Sequence, residues 1–258
     1  ETGFWLESDR MLSLSFDPDV LEVQRSVVVE EFKQRYLSQP YGDVWLKLRP
    51  LAYKVHPYQW ATIGKEIAHI EKATLNDVKE FFHHYYLPSN AVLVVAGKVT
   101  TDQVKKLSEK WFAPIPTSKK PDRKLPEEPA QYEKRTITVE AHVPADALYK
   151  TYHMPGRFHK DYYALDLLND ILSHGQSSRL IHQLVKKREI FTSISSHGMG
   201  TIDPGLVVVS GRVNNKINFE EAETAVDEIL NTVIRDGVTE EELEKVKNQA
   251  ESMLEFDE

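Results

Sequence analysis

The amino-acid sequence predicts an α+β fold made of two tandem, similar units, each a mostly antiparallel sheet with helices packed on one face. Three observations carry that prediction. The run NAVLVVAGKV at residues 90–99 is almost wholly apolar and rich in β-branched side chains, the pattern of a buried strand. Part of it, VVAGKV at 94–99, recurs as VVSGRV at 208–213, each time ahead of an amphipathic helical pattern, as duplication of one unit would produce. Between the copies lie residues 113–129, APIPTSKKPDRKLPEEP, whose five prolines and scattered charges mark a linker. The expected division is 1–112 for the first unit, 113–132 for the linker and 133–258 for the second unit, which stops short of its own end.

Taken in order, residues 3–14 place Phe4, Trp5, Met11 and Leu12 among charges and read as an amphipathic helix. Asp17-Pro18 interrupts, and Asp19 supplies an N-cap type of residue for a helix over 21–36. A turn at 39–42 leads to a short helix near 43–51. His56, held extended by Pro57, reads as a packing or capping residue rather than a metal ligand. Thr74 and Asp77 form a capping-box signature for a helix carrying Val78, Phe81, Phe82, Tyr85 and Tyr86, on which His83 and His84 diverge and cannot share a metal. The strand at 90–99 and a helix at 101–112 complete the first unit. Beyond the linker, 135–142 alternates as a strand and 148–153 reads as another. A helix over 162–172 ends at Gly175, a second spans 177–188, strands follow at 191–198 and 206–213, and acidic amphipathic helices occupy 219–236 and 240–254.

A formal net charge of −8 and a pI near 5.7 argue against non-specific binding to nucleic acid, which needs a basic patch. The absence of cysteine excludes disulfides and thiolate metal sites. The longest apolar run, 91–96, is far shorter than a membrane span. Since the chain opens on Glu1 and closes inside a helical pattern, it reads as a piece of a longer parent, on which any signal peptide or lipid attachment would lie. A periplasmic or envelope location in a bacterium is compatible with that, and the residues themselves name no compartment.

The helix at 21–36, LEVQRSVVVEEFKQRY, carries the most chemical information. Val27, Val28 and Val29 are poor helix formers, so burial must hold them there. Gln24, Val27, Val28 and Glu31 fall at i, i+3, i+4 and i+7, which predicts that this face is the buried one and that Glu31 points inward. A carboxylate so placed has to be paired, protonated or metal-bound. On residue type alone, Glu30 and Glu31 read first as a solvated helix edge, because Glu is almost never fully buried without a partner.

The segments QRSVVVEEFKQRY at 24–36, QPYG at 39–42 and HPYQWATIG at 56–64 resemble the pitrilysin or insulinase-type (M16-like) family of inverted-motif zinc peptidases. In that family a helix of pattern E-R-x-V-V-x-x-E gives the third zinc ligand from its last Glu, and an earlier H-x-x-E-H helix gives two His and the general base. The resemblance implies Glu31 as the zinc ligand and Gln24, where the family has Glu, as the residue supporting the site from behind. Gln24 keeps hydrogen bonding and brings no negative charge. No H-x-x-E-H occurs in the chain, so no catalytic residue is expected here, and the general base is expected upstream of residue 1. It further implies that the first unit begins part-way through its fold.

GQSSRLIHQLVKKREIF at 175–191 resembles the G-x-S-S-R-L segment of the family's second domain. Halves that assist catalysis carry there an Arg and, seven residues on, a Tyr. The matching positions are Val185 and Thr192, so such a pair would come from a second family half or subunit. The resemblance thus implies a zinc-dependent endopeptidase acting on extended peptides or small proteins. Zinc with two His and one Glu leaves a position for water, whose pKa falls to about 7. The chain alone is expected to be inactive. The alternative is a non-catalytic relative, a partner or assembly subunit of a processing peptidase.

Overall fold

A computed structural model describes residues 1–256, and the chain divides into two compact units, Glu1–Thr136 and Ile137–Glu258. The first is helical. It contains α1 (Thr2–Leu12), α2 (Pro18–Phe32), α3 (Val44–Ala52), α4 (Ile67–Lys72), α5 (Leu75–Tyr85) and α6 (Thr101–Trp111). The helix starts are made by local hydrogen bonds, and the cap of α2 is Asp17, not the expected Asp19, so that this helix begins at Pro18. Asp17 accepts from the Asp19 N–H with Pro18 in the first turn, and both Thr74/Asp77 and Thr100/Gln103 close reciprocal capping boxes. Its buried side chains include Val29, Phe32, Ala52, Tyr53, Ala61, Phe82 and Ile115. Phe82 meets Phe16 edge-on at 5.5 Å and stacks on Tyr86 at 5.0 Å.

The first unit has no sheet among the described residues, contrary to expectation. Residues 90–99 form no ladder, and Val92 and Val94 are 90% and 82% exposed. The run 135–142 likewise pairs with nothing, and Ile137 and Val139 face solvent. The reason is that a strand, unlike a helix, satisfies its backbone only through a neighbour distant in sequence. An apolar β-branched run without such a neighbour stays open.

The second unit does form the expected layers. β1 (Ala147–Met154), β2 (Phe191–Gly198) and β3 (Gly205–Val213) make an antiparallel sheet in the order β1-β3-β2, with Tyr149 opposite Ser210 and Ser195 opposite the same Ser210. α7 (Tyr162–Ser173) packs on β2, α8 (Phe219–Asp236) reaches β1, α9 (Glu240–Phe256) lies against α7, and Ile181–Lys187 is a π-helix. Ile194 and Val209 from the sheet cluster with Leu172, Leu180, Leu184, Ala222, Ala225 and Val226. Truncating Leu180 or Leu184, neither of which is exposed at all, to Ala removes about 2–5 kcal/mol of packing. Gly211 is required in the middle of β3, where a Cβ would stand 2.6 Å from Phe191 Cδ1 and 2.9 Å from the Ser193 carbonyl oxygen. Buried polar groups between α7 and β2 are hydrogen-bonded to one another. Buried Asn169 donates to the Leu165 carbonyl at 2.8 Å and accepts from the Ser196 hydroxyl, and Ser173 bridges to both the N–H and the C=O of Ser196.

Candidate functional site

α2 is oriented by the side chains it buries. Leu21, Arg25, Val28, Val29 and Phe32 turn inward, at i, i+4, i+7, i+8 and i+11. Arg25 pairs with Glu22 and donates from Nη2 to the Ala73 carbonyl at 2.6 Å, just past the end of α4, where a cation meets the negative end of the helix. Only Val28 of the face expected to be buried is even partly so. Gln24 and Glu31 are exposed, and Val27 is 55% exposed. The inward reading of Glu31 is therefore corrected. Each helical residue turns the side chain by about 100°, and Phe32 with Arg25 claims the interior, which swings 24, 27 and 31 outward.

The Glu31 carboxylate lies 3.4 Å from Arg35 Nη2, with about half of each side chain in water, so it is a solvated i,i+4 ion pair and not a bare charge in low dielectric. Two residues later the helix widens into a π-helix, Lys33–Leu37. The outward face has a character of its own. Val20, Val23, Gln24, Val27 and Glu31 form one stripe at i, i+3, i+4, i+7 and i+11, with the three valines 51%, 61% and 55% exposed. Three aliphatic side chains left in water beside one carboxylate form a surface suited to cover by another element.

The histidines behave as the sequence implied. His56 is buried, and its Nδ1 accepts from the Tyr58 N–H at 3.1 Å, capping a short 3-10 turn. His83 and His84 lie on the exposed side of α5. Among the described residues, no three or more His, Cys, Asp or Glu stand where they could hold a metal.

In the second unit, Val185 lies within the π-helix Ile181–Lys187 and packs against the core. Thr192 sits where the β2–β3 register slips between Phe191 and Ser193, and its hydroxyl donates to the Arg212 carbonyl at 3.3 Å. Both positions are backbone irregularities of a kind that recurs at functional sites, here carrying a valine, which has no polar group, and a threonine whose hydroxyl is engaged with the Arg212 carbonyl. The strongest ion pair of this segment is one the sequence reading missed. Arg179 makes a two-pronged contact with Glu242, at 2.7 Å from both Nε and Nη2. Arg179, the Thr239 N–H at 2.9 Å and the Thr239 hydroxyl together bring the Glu242 carboxyl down to about 2. The T-x-x-E pattern at 239–242 is a signal that could have found the cap, and nothing local points to the arginine.

A family model described as the peptidase M16 inactive domain matches residues 72–250. The zinc protease PqqE of Helicobacter pylori is 32% identical over 247 residues, covering 94% of this chain and 55% of that protein. The chain belongs to the peptidase M16 family. An uncharacterized zinc protease of Bacillus subtilis, YmxG, is 26% identical over 96% of this M16 chain and 59% of its own length. A crystal structure of a protease from Helicobacter pylori superposes with a TM-score of 0.86 at 31% identity, covering 98% of this chain and 62% of that one. The M16 chain thus spans little more than half the length of these curated relatives, which are named zinc proteases. No described helix is long and apolar enough to cross a membrane.

Proposed function

We propose that this chain is part of a zinc-dependent peptidase that hydrolyses extended peptides or small proteins, and that Glu31 is its contribution to the metal. Two His and the general base come from outside residues 1–258, and Gln24 supports Glu31 from the same helix face. The observation that carries the reading is the outward stripe of α2, where Val20, Val23 and Val27 lead to Gln24 and Glu31. An incoming helix covering those valines would remove water from around Glu31 and strengthen its hold on a cation. On this reading the Arg35 pairing is the resting arrangement of a carboxylate awaiting its metal. The substrate pair of Arg and Tyr belongs to a second family half or subunit, since Val185 and Thr192 cannot serve. On this reading 1–112 belongs to the metal-holding domain, 113–132 links, and 133–258 is the second peptidase-like domain, of which residues 133–136 fall within the first compact unit.

The test compares the parent protein with its Glu31→Gln variant. Stoichiometric zinc in the parent and loss of both zinc and chelator-sensitive cleavage of a quenched fluorescent peptide in E31Q support the assignment. Unchanged zinc content in E31Q refutes it. Residues 1–258 alone are expected to bind zinc weakly and cleave nothing.

A second reading is favoured by Gln24, Val185 and Thr192, and by the description of the matching family model as an inactive domain. It makes the parent a non-catalytic partner of a processing peptidase. The parent sequence ahead of Glu1 separates the two, since H-x-x-E-H there supports the peptidase and its absence the partner subunit.

A further inference from the structure

The Pro-rich stretch 113–129 reads in sequence as a linker, yet some of its side chains, and Arg135 just beyond it, turn inward. Ile115 is 5% exposed, and Glu128 and Arg135 are half-buried between fully exposed neighbours. What the two charged residues reach is the end of α3. There the helix gives way to extended backbone at Tyr53, so the Lys54, Val55 and His56 N–H groups have no helical or ladder partner. Glu128 accepts all three, Lys54 on Oε1 at 2.7 Å and Val55 and His56 on Oε2 at 2.9 Å each. Successive N–H groups converging in this way form a concave anion site. On the other side of the same helix end, Arg135 Nη1 donates to the Leu51 carbonyl at 2.8 Å and leans toward that of Ala52 at 3.5 Å. The negative residue therefore holds the donors after the helix, and the positive residue holds the last helical carbonyls.

We propose that Glu128 and Arg135 form a two-point clasp that fastens residues 113–135 to the first unit, so that the freedom of the chain between the units is confined to 136–143. Both halves of the clasp lie inside the unit Glu1–Thr136, whose boundary falls one residue after Arg135. Residues 136–142 are exposed throughout and enter no ladder. Charge-assisted hydrogen bonds are the stronger class, and three on one carboxylate outweigh the flexibility that five prolines and several charges suggest. The clasp is independent of the peptidase reading, because it needs neither a metal nor a substrate.

Amide hydrogen exchange on this chain tests it. In the wild type the Lys54, Val55 and His56 amides exchange slowly. In Glu128→Ala they exchange at least about tenfold faster, as the loss of charge-assisted bonds requires, while α5 and α6 keep their rates. Tryptic cleavage after Lys134 accelerates in E128A and in Arg135→Ala. Rapid exchange at the three amides in the wild type, or identical rates there in E128A, overturns the proposal. Should E128A unfold, seen as faster exchange throughout α5 and α6, Glu128→Gln decides: a partial loss confined to 54–56 supports the clasp, and a loss shared with α5 and α6 overturns it.

Discussion

The two copies of one six-residue pattern meet opposite fates. Val208 and Val213 of VVSGRV are 0% and 1% exposed at the centre of a three-stranded sheet, whereas Val94 and Val99 of VVAGKV are 82% and 47% exposed and enter no ladder. Even the shared glycine serves differently. Gly211 leaves room for Phe191 beside it. A Cβ at Gly97 would meet no atom within 4 Å, and that residue instead adopts a φ of +133°, where other residues are strained. Strand propensity is thus a capacity, realised only where partners on both sides complete the backbone hydrogen bonds.

Paired substitutions break or sharpen this contrast. Val208→Asp buries an unpaired carboxylate and is expected to cost more than about 4 kcal/mol, unfolding the sheet, while Val94→Asp changes stability by within about 0.5 kcal/mol; urea unfolding of the two variants reads both. Gly211→Ala should cost about 1–3 kcal/mol through overpacking against Phe191. Gly97→Ala should cost about 1 kcal/mol, through backbone strain alone. If Gly211→Ala loses no more stability than Gly97→Ala, the close-approach account, which rests on both Phe191 and the Ser193 carbonyl, fails.

The acid response separates the units further. The Glu242 carboxyl, held at about 2 against an ordinary 4.5, is depressed in the folded state. Its contribution is therefore fully present above about pH 4.5 and is lost as pH falls from there toward 2. Acid unfolding followed by exchange in α9 should begin at higher pH in Glu242→Gln than in the wild type, and Arg179→Met should act in the same direction. The smallest effect is expected at the candidate ligand itself. Glu31→Gln in this chain breaks only a solvated ion pair and should shift stability by less than about 0.5 kcal/mol, so a large loss would show that Glu31 is held by more than Arg35.

Much of the architecture was legible because it is local. The Thr74 capping box was read directly, the cap expected at Asp19 falls two residues earlier at Asp17, and the helices at 101–111 and 219–236 fall where the periodicity put them. The strands at 191–198 and 205–213 were readable for a second reason, since their partners lie in the same unit. Of the candidate site, the order of motifs along the chain identified the family and singled out position 31. Its orientation was misread because valines 27–29 offer two overlapping faces, and periodicity alone cannot choose between them. Arg25 and Phe32 made that choice through contacts across the fold.

By itself, then, the sequence determined helix starts, the layered second unit and membership of the M16 family, since these rest on interactions a few residues apart or on motifs read in order. Only the tertiary structure decided which face of α2 meets water, where Glu128 and Arg135 anchor the linker, and which of two near-identical runs becomes a strand. Each of those depends on a partner far along the chain or on the absence of one, and no local pattern encodes a distant hydrogen bond.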